Sequence, residues 1–92
     1  MTDSTGPRPV TVAGDGRLQY IPIGRVPHIL ECPAGREISL RNVGMNTLYV
    51  STDDEVYFDV ACGTSFDIRQ KFRRVWFRTV LGRTWAYVLV TN

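Results

Sequence analysis

The stretch VWFRTVLGRTWAYVLVTN, Val75 to Asn92, decides the fold class. Two runs of β-formers, VWFRTV and TWAYVLV, flank Leu81-Gly82-Arg83, with glycine where a tight turn needs a positive φ. The alternation is legible on both arms. Val75, Phe77 and Thr79 share one face and Trp76, Arg78 and Val80 the other; Trp85, Tyr87 and Leu89 oppose Ala86, Val88 and Val90. This pattern predicts a β-hairpin. A lone hairpin is marginal in water, so the rest of the chain must supply strands to cover it.

Upstream segments read the same way. Val10 to Ala13 is a first short extended run, closed by Gly14-Asp15-Gly16. Leu18 to Ile23 follows, and Pro22 places it at a sheet edge because proline cannot donate to a ladder. Pro27 to Cys32 ends at the turn signal Pro33-Ala34-Gly35. In Arg36 to Val43, Ile38 and Leu40 point inward; Gly44-Met45-Asn46 then turns the chain into Thr47 to Thr52, where Leu48 and Val50 alternate with polar neighbours. Glu55 to Val60 and Ser65 to Ile68 are further strands, and Gln70 to Arg74 reads as a polar connection into the closing pair. Roughly seven to nine short strands with Gly, Pro, Asn and Asp turns between them predict an all-β fold, a small antiparallel β-sandwich or jelly-roll-like barrel. Residues 1–9 are expected to form a flexible N-terminal arm and residues 10–92 a single domain.

Composition is that of an ordinary globular domain: 92 residues, 43% hydrophobic, 22% charged. A net charge of +2 is too small to imply a nucleic-acid partner by itself. The charges are nevertheless segregated. Asp53, Asp54, Glu55 and Asp59 form an acidic segment, whereas Arg69, Lys71, Arg73, Arg74, Arg78 and Arg83 form a basic one. They can pair internally or between copies. The opening MTDSTGPRPV lacks the layout of a signal peptide, and no apolar run approaches the roughly 20 residues of a membrane span, so synthesis in soluble form in a cytoplasm is expected.

Chemistry-bearing residues are sparse. Cys32 and Cys62 sit in or beside apolar runs, far from metal-ligand spacing, and read first as buried free thiols, with a single disulfide or a reactive thiol as the alternatives. His28 is the single histidine and reads as structural; no serine motif accompanies it. Asp53-Asp54-Glu55 lacks the alternating oxygen ligands of a calcium loop and reads as turn chemistry. Gly63-Thr64-Ser65 lacks the lysine of a phosphate loop. The expectation is a protein that is not an enzyme and has no cofactor or metal. Surfaces carry more information. Trp76, Arg78, Trp85 and Tyr87 are interface anchors, since one set of faces must close the core and the other is left with aromatic rings that few small monomers expose. Arg73 and Arg74 beside Phe72 complete a basic-aromatic stretch, and the surplus aromatic face argues for a homo-oligomer.

The run from Ile29 to Val90 resembles a known group in its cadence. CPAGREISLRNVG is followed by NTLYVSTDD, then GTSFDI, VWFRTVLG and TWAYVLV, an order similar to small β-sandwich accessory proteins of tailed-bacteriophage virions. The resemblance implies a structural capsid decoration protein that binds and stabilises an assembled shell. Its expected partners are further copies of itself, a trimer among the possible forms, and a major capsid protein or other virion protein. It also implies an arm including Thr2, Pro7, Arg8 and Pro9 at the interface, with Asn42, Gly44, Asn46, Gly63 and Ser65 at turn and strand positions. Arg73, Arg74 and Arg78 would then meet carboxylates on the shell. Two other readings remain open. One is a tail- or fibre-associated or carbohydrate-binding module using Trp76, Trp85 and Tyr87 as platforms; the other is a single-stranded nucleic-acid-binding β-barrel.

Overall fold

A computed structural model describes residues 9–12 and 18–91, with the side chains of residues 33–36, 70, 71 and 91 excepted. The seven strands described are β1 (Val10–Val12), β2 (Leu18–Ile23), β3 (His28–Asn42), β4 (Leu48–Ser51), β5 (Phe58–Val60), β6 (Ser65–Arg78) and β7 (Thr84–Thr91). Their order is β2-β7-β3-β6-β4-β5, with β1 parallel to β3 and the remaining pairs antiparallel. The fold is the expected all-β sandwich.

Two long strands make both layers. The second half of β3 pairs with β7 through Glu37 to Asn42 and with the first half of β6 through Ile38 to Arg41. Its first half, His28 to Glu31, lies between β1 and the second half of β6, and β4 then adds to β6 at Tyr49 to Ser51. The β3–β6 ribbon thus folds over on itself, as in a jelly roll. Its register slips where it folds, between Glu31 and Arg36 and again before Ile38. A slip of this kind bends a strand pair and raises its twist.

Alternation filled the interior as the sequence predicts. Ile21, Ile23, Leu30, Ile38, Leu40, Leu48, Val50, Val75, Phe77, Ala86, Val88 and Val90 are all buried in one core. Phe77 is the largest of the fully buried side chains, and truncating such a ring costs about 3–5 kcal/mol. Phe58 of β5 and Phe66 of β6 meet at 4.5 Å between ring centroids and close the seam between the layers.

Three expectations are corrected. No pairing joins β6 to β7 among the described residues: β6 ends in one layer and β7 starts in the other, so Val75 and Phe77 face the inner side of β7 across the core instead of lying beside it. Alternation and a turn glycine are shared by a hairpin and by an arch between layers. Gly82 does have the positive φ, 66°, and Thr79 Oγ1 donates to its carbonyl at 2.6 Å. Second, Pro33-Ala34-Gly35 and Gln70 to Arg74 do not interrupt strands; both lie within the long β3 and β6 at the fold-over. Third, Cys32 is buried but Cys62 is exposed in the turn after β5, and neither forms a disulfide.

One buried side chain ties four segments together. Asn42 Nδ2 donates to the carbonyls of Asn46 at 2.8 Å and Val60 at 2.9 Å, while Oδ1 accepts from Gly44 N at 3.2 Å and Thr84 Oγ1 at 2.6 Å. Its amide donates to Thr64 O, and its carbonyl accepts from Gly63 N. Gly44 lets the backbones touch, since a Cβ there would stand 2.6 Å from Trp85 N and 2.7 Å from Thr84 Cα. Asn42→Asp places a carboxylate oxygen against two carbonyls and is expected to lower the unfolding free energy by about 3 kcal/mol. Gly44→Ala is expected to lower it by about 2 kcal/mol through forced backbone displacement. Urea denaturation measures both, and unchanged midpoints refute the assignment.

Candidate interaction surface

Because Ile21, Ile23, Ala86, Val88 and Val90 are drawn inward, the intervening residues of β2 and β7 must face out. The outer face of this layer presents cross-strand rows Leu18–Leu89, Tyr20–Tyr87 and Pro22–Trp85. Tyr20 is stacked on Trp85, with centroids 4.5 Å apart and planes 5° apart, and leans on Tyr87 at 4.7 Å. Leu18 is 63% exposed and Tyr20 51%; Trp85 and Tyr87 are each exposed as well. The tyrosine hydroxyls and the indole N–H find no hydrogen-bond partner among the described residues. An apolar body with an unused polar tip suits a surface that becomes covered.

The anchors named from sequence divide between two faces. Trp85 and Tyr87 belong to the ladder just described. Trp76 and Arg78 lie on the outside of the opposite layer, where Trp76 is level with Ile29 and Ser51, and Arg78 with Tyr49. Both are partly buried, and Arg78 Nε is buried without a hydrogen-bond partner among the described residues. Arg74 pairs with Glu31 at 3.4 Å, and Arg73 and Arg74 line a shallow groove with Phe72 and Thr52. No single flat partner can therefore touch all six side chains. Thr2, Pro7 and Arg8 lie outside the described residues. Pro9 is exposed, and its carbonyl accepts from Ile29 N at 2.9 Å, which continues the β1–β3 pairing.

Residues that sequence reasoning passed over complete the ladder. Leu18 and Tyr20 were readable, since Ile21 and Ile23 two apart define the inner side of LQYIPI and leave Tyr20 outside. The exposed Met45, Val80 and Leu81 sit in turns, where alternation gives no signal.

The polar residues behave structurally. Asp53 accepts from Val56 N, Glu55 N and Ser51 Oγ, and these bonds, led by Val56, hold its carboxyl below the usual range. This is turn chemistry, as expected. Asp54 has φ 61° and accepts a hydrogen bond from the Tyr57 hydroxyl. No three His, Cys, Asp or Glu side chains converge as a metal site among the described residues.

No protein-family model matches the chain, and no curated protein matches it. The crystal structure of PirA is similar in fold, with a TM-score of 0.59 over 79% of this chain and 92% of that one, at 12% identity. Identity that low carries the fold alone.

His28, in the layer opposite the ladder, gives the fold a pH dependence. It is buried at the start of β3, with Nε2 2.6 Å from Thr11 Oγ1 of β1, and burial lowers its pKa. The unfolded chain takes up this proton near the ordinary value of about 6.5, before the folded chain does. Stability is therefore complete above that pH and falls as pH drops through the lowered value. The urea midpoint is expected to fall between pH 7.5 and 5.5, and His28→Gln to flatten that slope; an equal slope in both proteins rejects His28 as the cause.

Proposed function

We propose that this chain is a structural virion protein of a tailed phage, a capsid decoration protein that attaches by the outer face of β2 and β7. The observation that carries the reading is the ladder of Leu18, Tyr20, Pro22, Trp85, Tyr87 and Leu89, a continuous apolar and aromatic face. Aromatic anchors in the middle of a patch dominate protein interfaces. The sequence resemblance to phage accessory sandwiches supplies the context, and repetition on a shell lattice lets weak single contacts hold. The proposed role is adhesion.

A carbohydrate-binding role is the second reading. It rests on a hollow of about 250 Å³ over Ser39 and Arg41 of β3, flanked by Tyr87 and Leu89 of β7 on one side and by Ser65 and Asp67 of β6 on the other. The Trp76 ring cannot join it, since it lies on the opposite layer. Tyr20 and Trp85 also spend one ring face each on the other.

The deciding experiment purifies phage particles from the source of this coding sequence and follows the chain on a density gradient. It is expected to comigrate with the shell, and Trp85→Ser combined with Tyr87→Ser is expected to lower occupancy at least tenfold without unfolding the protein. A chain absent from purified particles overturns the proposal. Binding of free sugars by wild type, lost in Tyr87→Ser, favours the second reading.

A further inference from the structure

The end of the sandwich away from the fold-over gathers four connections: residues 24–27, 43–47, 61–64 and 79–83. Hydrogen bonds lock three of them together. Thr79 N donates to Gly24 O at 2.9 Å, Asn46 Nδ2 to Arg83 O at 2.6 Å and Thr79 Oγ1 to Gly82 O. On this fixed frame Met45 is 91% and Leu81 76% exposed. With Val80 and Tyr49 they rim a hollow of about 220 Å³. Large apolar side chains presented to water on a fixed backbone call for a partner, and the fixed backbone lowers the ordering cost of binding one. Arg25 and Arg83 are exposed and line a second hollow with Gly82, which Leu81 joins to the first, and none of the four connections carries an acid, although Asp59 of β5 is level with Tyr49.

The complement is at the other end of the same molecule. Asp53 folds the β4–β5 connection around its carboxylate, which leaves Val56 as a knob 71% exposed next to the exposed Glu55. Strand β4, Leu48–Ser51, separates the two features: Thr47 just before it lines the hollow and the connection that bears Val56 follows it, so they cannot meet within one chain.

We propose that the chain binds a second copy of itself head to tail, with Val56 of one copy in the Met45–Val80–Leu81 hollow of the next and Glu55 against Arg25 and Arg83. The occupant is a second copy because one chain carries both halves, apolar against apolar and acid against base. Such a contact is heterologous: it closes into a ring if the rotation allows and extends as a filament if it does not. It uses neither Tyr20 nor Trp85 and stands independently of the virion reading.

Two variants test it. Leu81→Ser with Met45→Ser removes the hollow's rim, and Val56→Ser with Glu55→Gln removes the knob; all four side chains are exposed, so circular dichroism and melting should match wild type. Sedimentation velocity across a dilution series is expected to show wild-type mass rising with concentration above the monomer. Each variant alone is expected to associate at least tenfold more weakly. An equimolar mixture of the two is expected to stop at a 1:1 dimer, since only one intact junction remains. A monomeric wild type, variants that assemble like wild type, or a mixture that grows past the dimer each overturns the proposal. So does assembly that is lost in Tyr20→Ser with Tyr87→Ser and kept in both of these variants, which assigns the contact to the aromatic face.

Discussion

Everything at the turn end of the sandwich depends on the amide of Asn42. A folded-over ribbon must bring the end of β3, the turn after β5 and the start of β7 to one place, and each arrives with backbone groups that no ladder pairs. An amide side chain offers two donors and an acceptor with two lone pairs, and Asn42 uses all four against groups from three other segments, the β3–β4 turn, β5 and β7. Fully satisfied, a buried polar group specifies one arrangement; half satisfied, it would cost more than an apolar core. Aspartate has the shape without the donors. Leucine would leave the Val60 carbonyl and the Thr84 hydroxyl unpaired.

The same hub explains why the arch from β6 to β7 holds its form. Gly44 packs against the backbone of Thr84 and Trp85, and Asn46 reaches the carbonyl of Arg83, so the β3–β4 turn clamps the arch from below. Gly82 sits close to Asn46 as well as in a left-handed conformation, and a side chain there would meet both constraints. With its register fixed by this clamp, β7 can turn only Ala86, Val88 and Val90 inward. The exposed ladder of Tyr20, Trp85 and Tyr87 is the other side of that choice.

Much of this was legible before the structure. Alternation assigned Ile38, Leu40, Val75, Phe77 and Val88 to the interior, and Trp85 and Tyr87 to the outside, because side-chain direction repeats every two residues whatever the neighbour. Neighbours themselves were not legible. The same inner face in Val75 to Phe77 suits a partner beside it or a layer opposite it, and the structure takes the second. Proline and glycine at 33–35 signalled a change in backbone course, but a ribbon that bends between layers keeps its pairing through the bend. Trp76 looked as free as Trp85 because nothing local reveals that β4 lies against β6 and brings Ser51 and Tyr49 beside it. The hollow at Met45 and Leu81 depends on two turns far apart in sequence and could not be read from either.

The edges constrain how such a molecule can associate. Strands β1 and β5 have three residues each, too short to template another chain. Strand β2 is longer, but Pro22 has no N–H to offer an added strand, and its outward side chains Leu18 and Tyr20 lean onto β7. Extension by a partner strand is therefore disfavoured at β1, β2 and β5, whereas the first half of β6, Ser65 to Ile68, pairs only with β3 among the described residues and is an open edge. Side-chain chemistry is available besides, on the β2–β7 face and at the two ends. Faces and ends differ in symmetry: a face can meet its own copy about a two-fold axis, whereas unlike ends can meet only in a directional series. A small sandwich with one adhesive face and two complementary ends has the parts needed to lie on a surface and to link with its neighbours there.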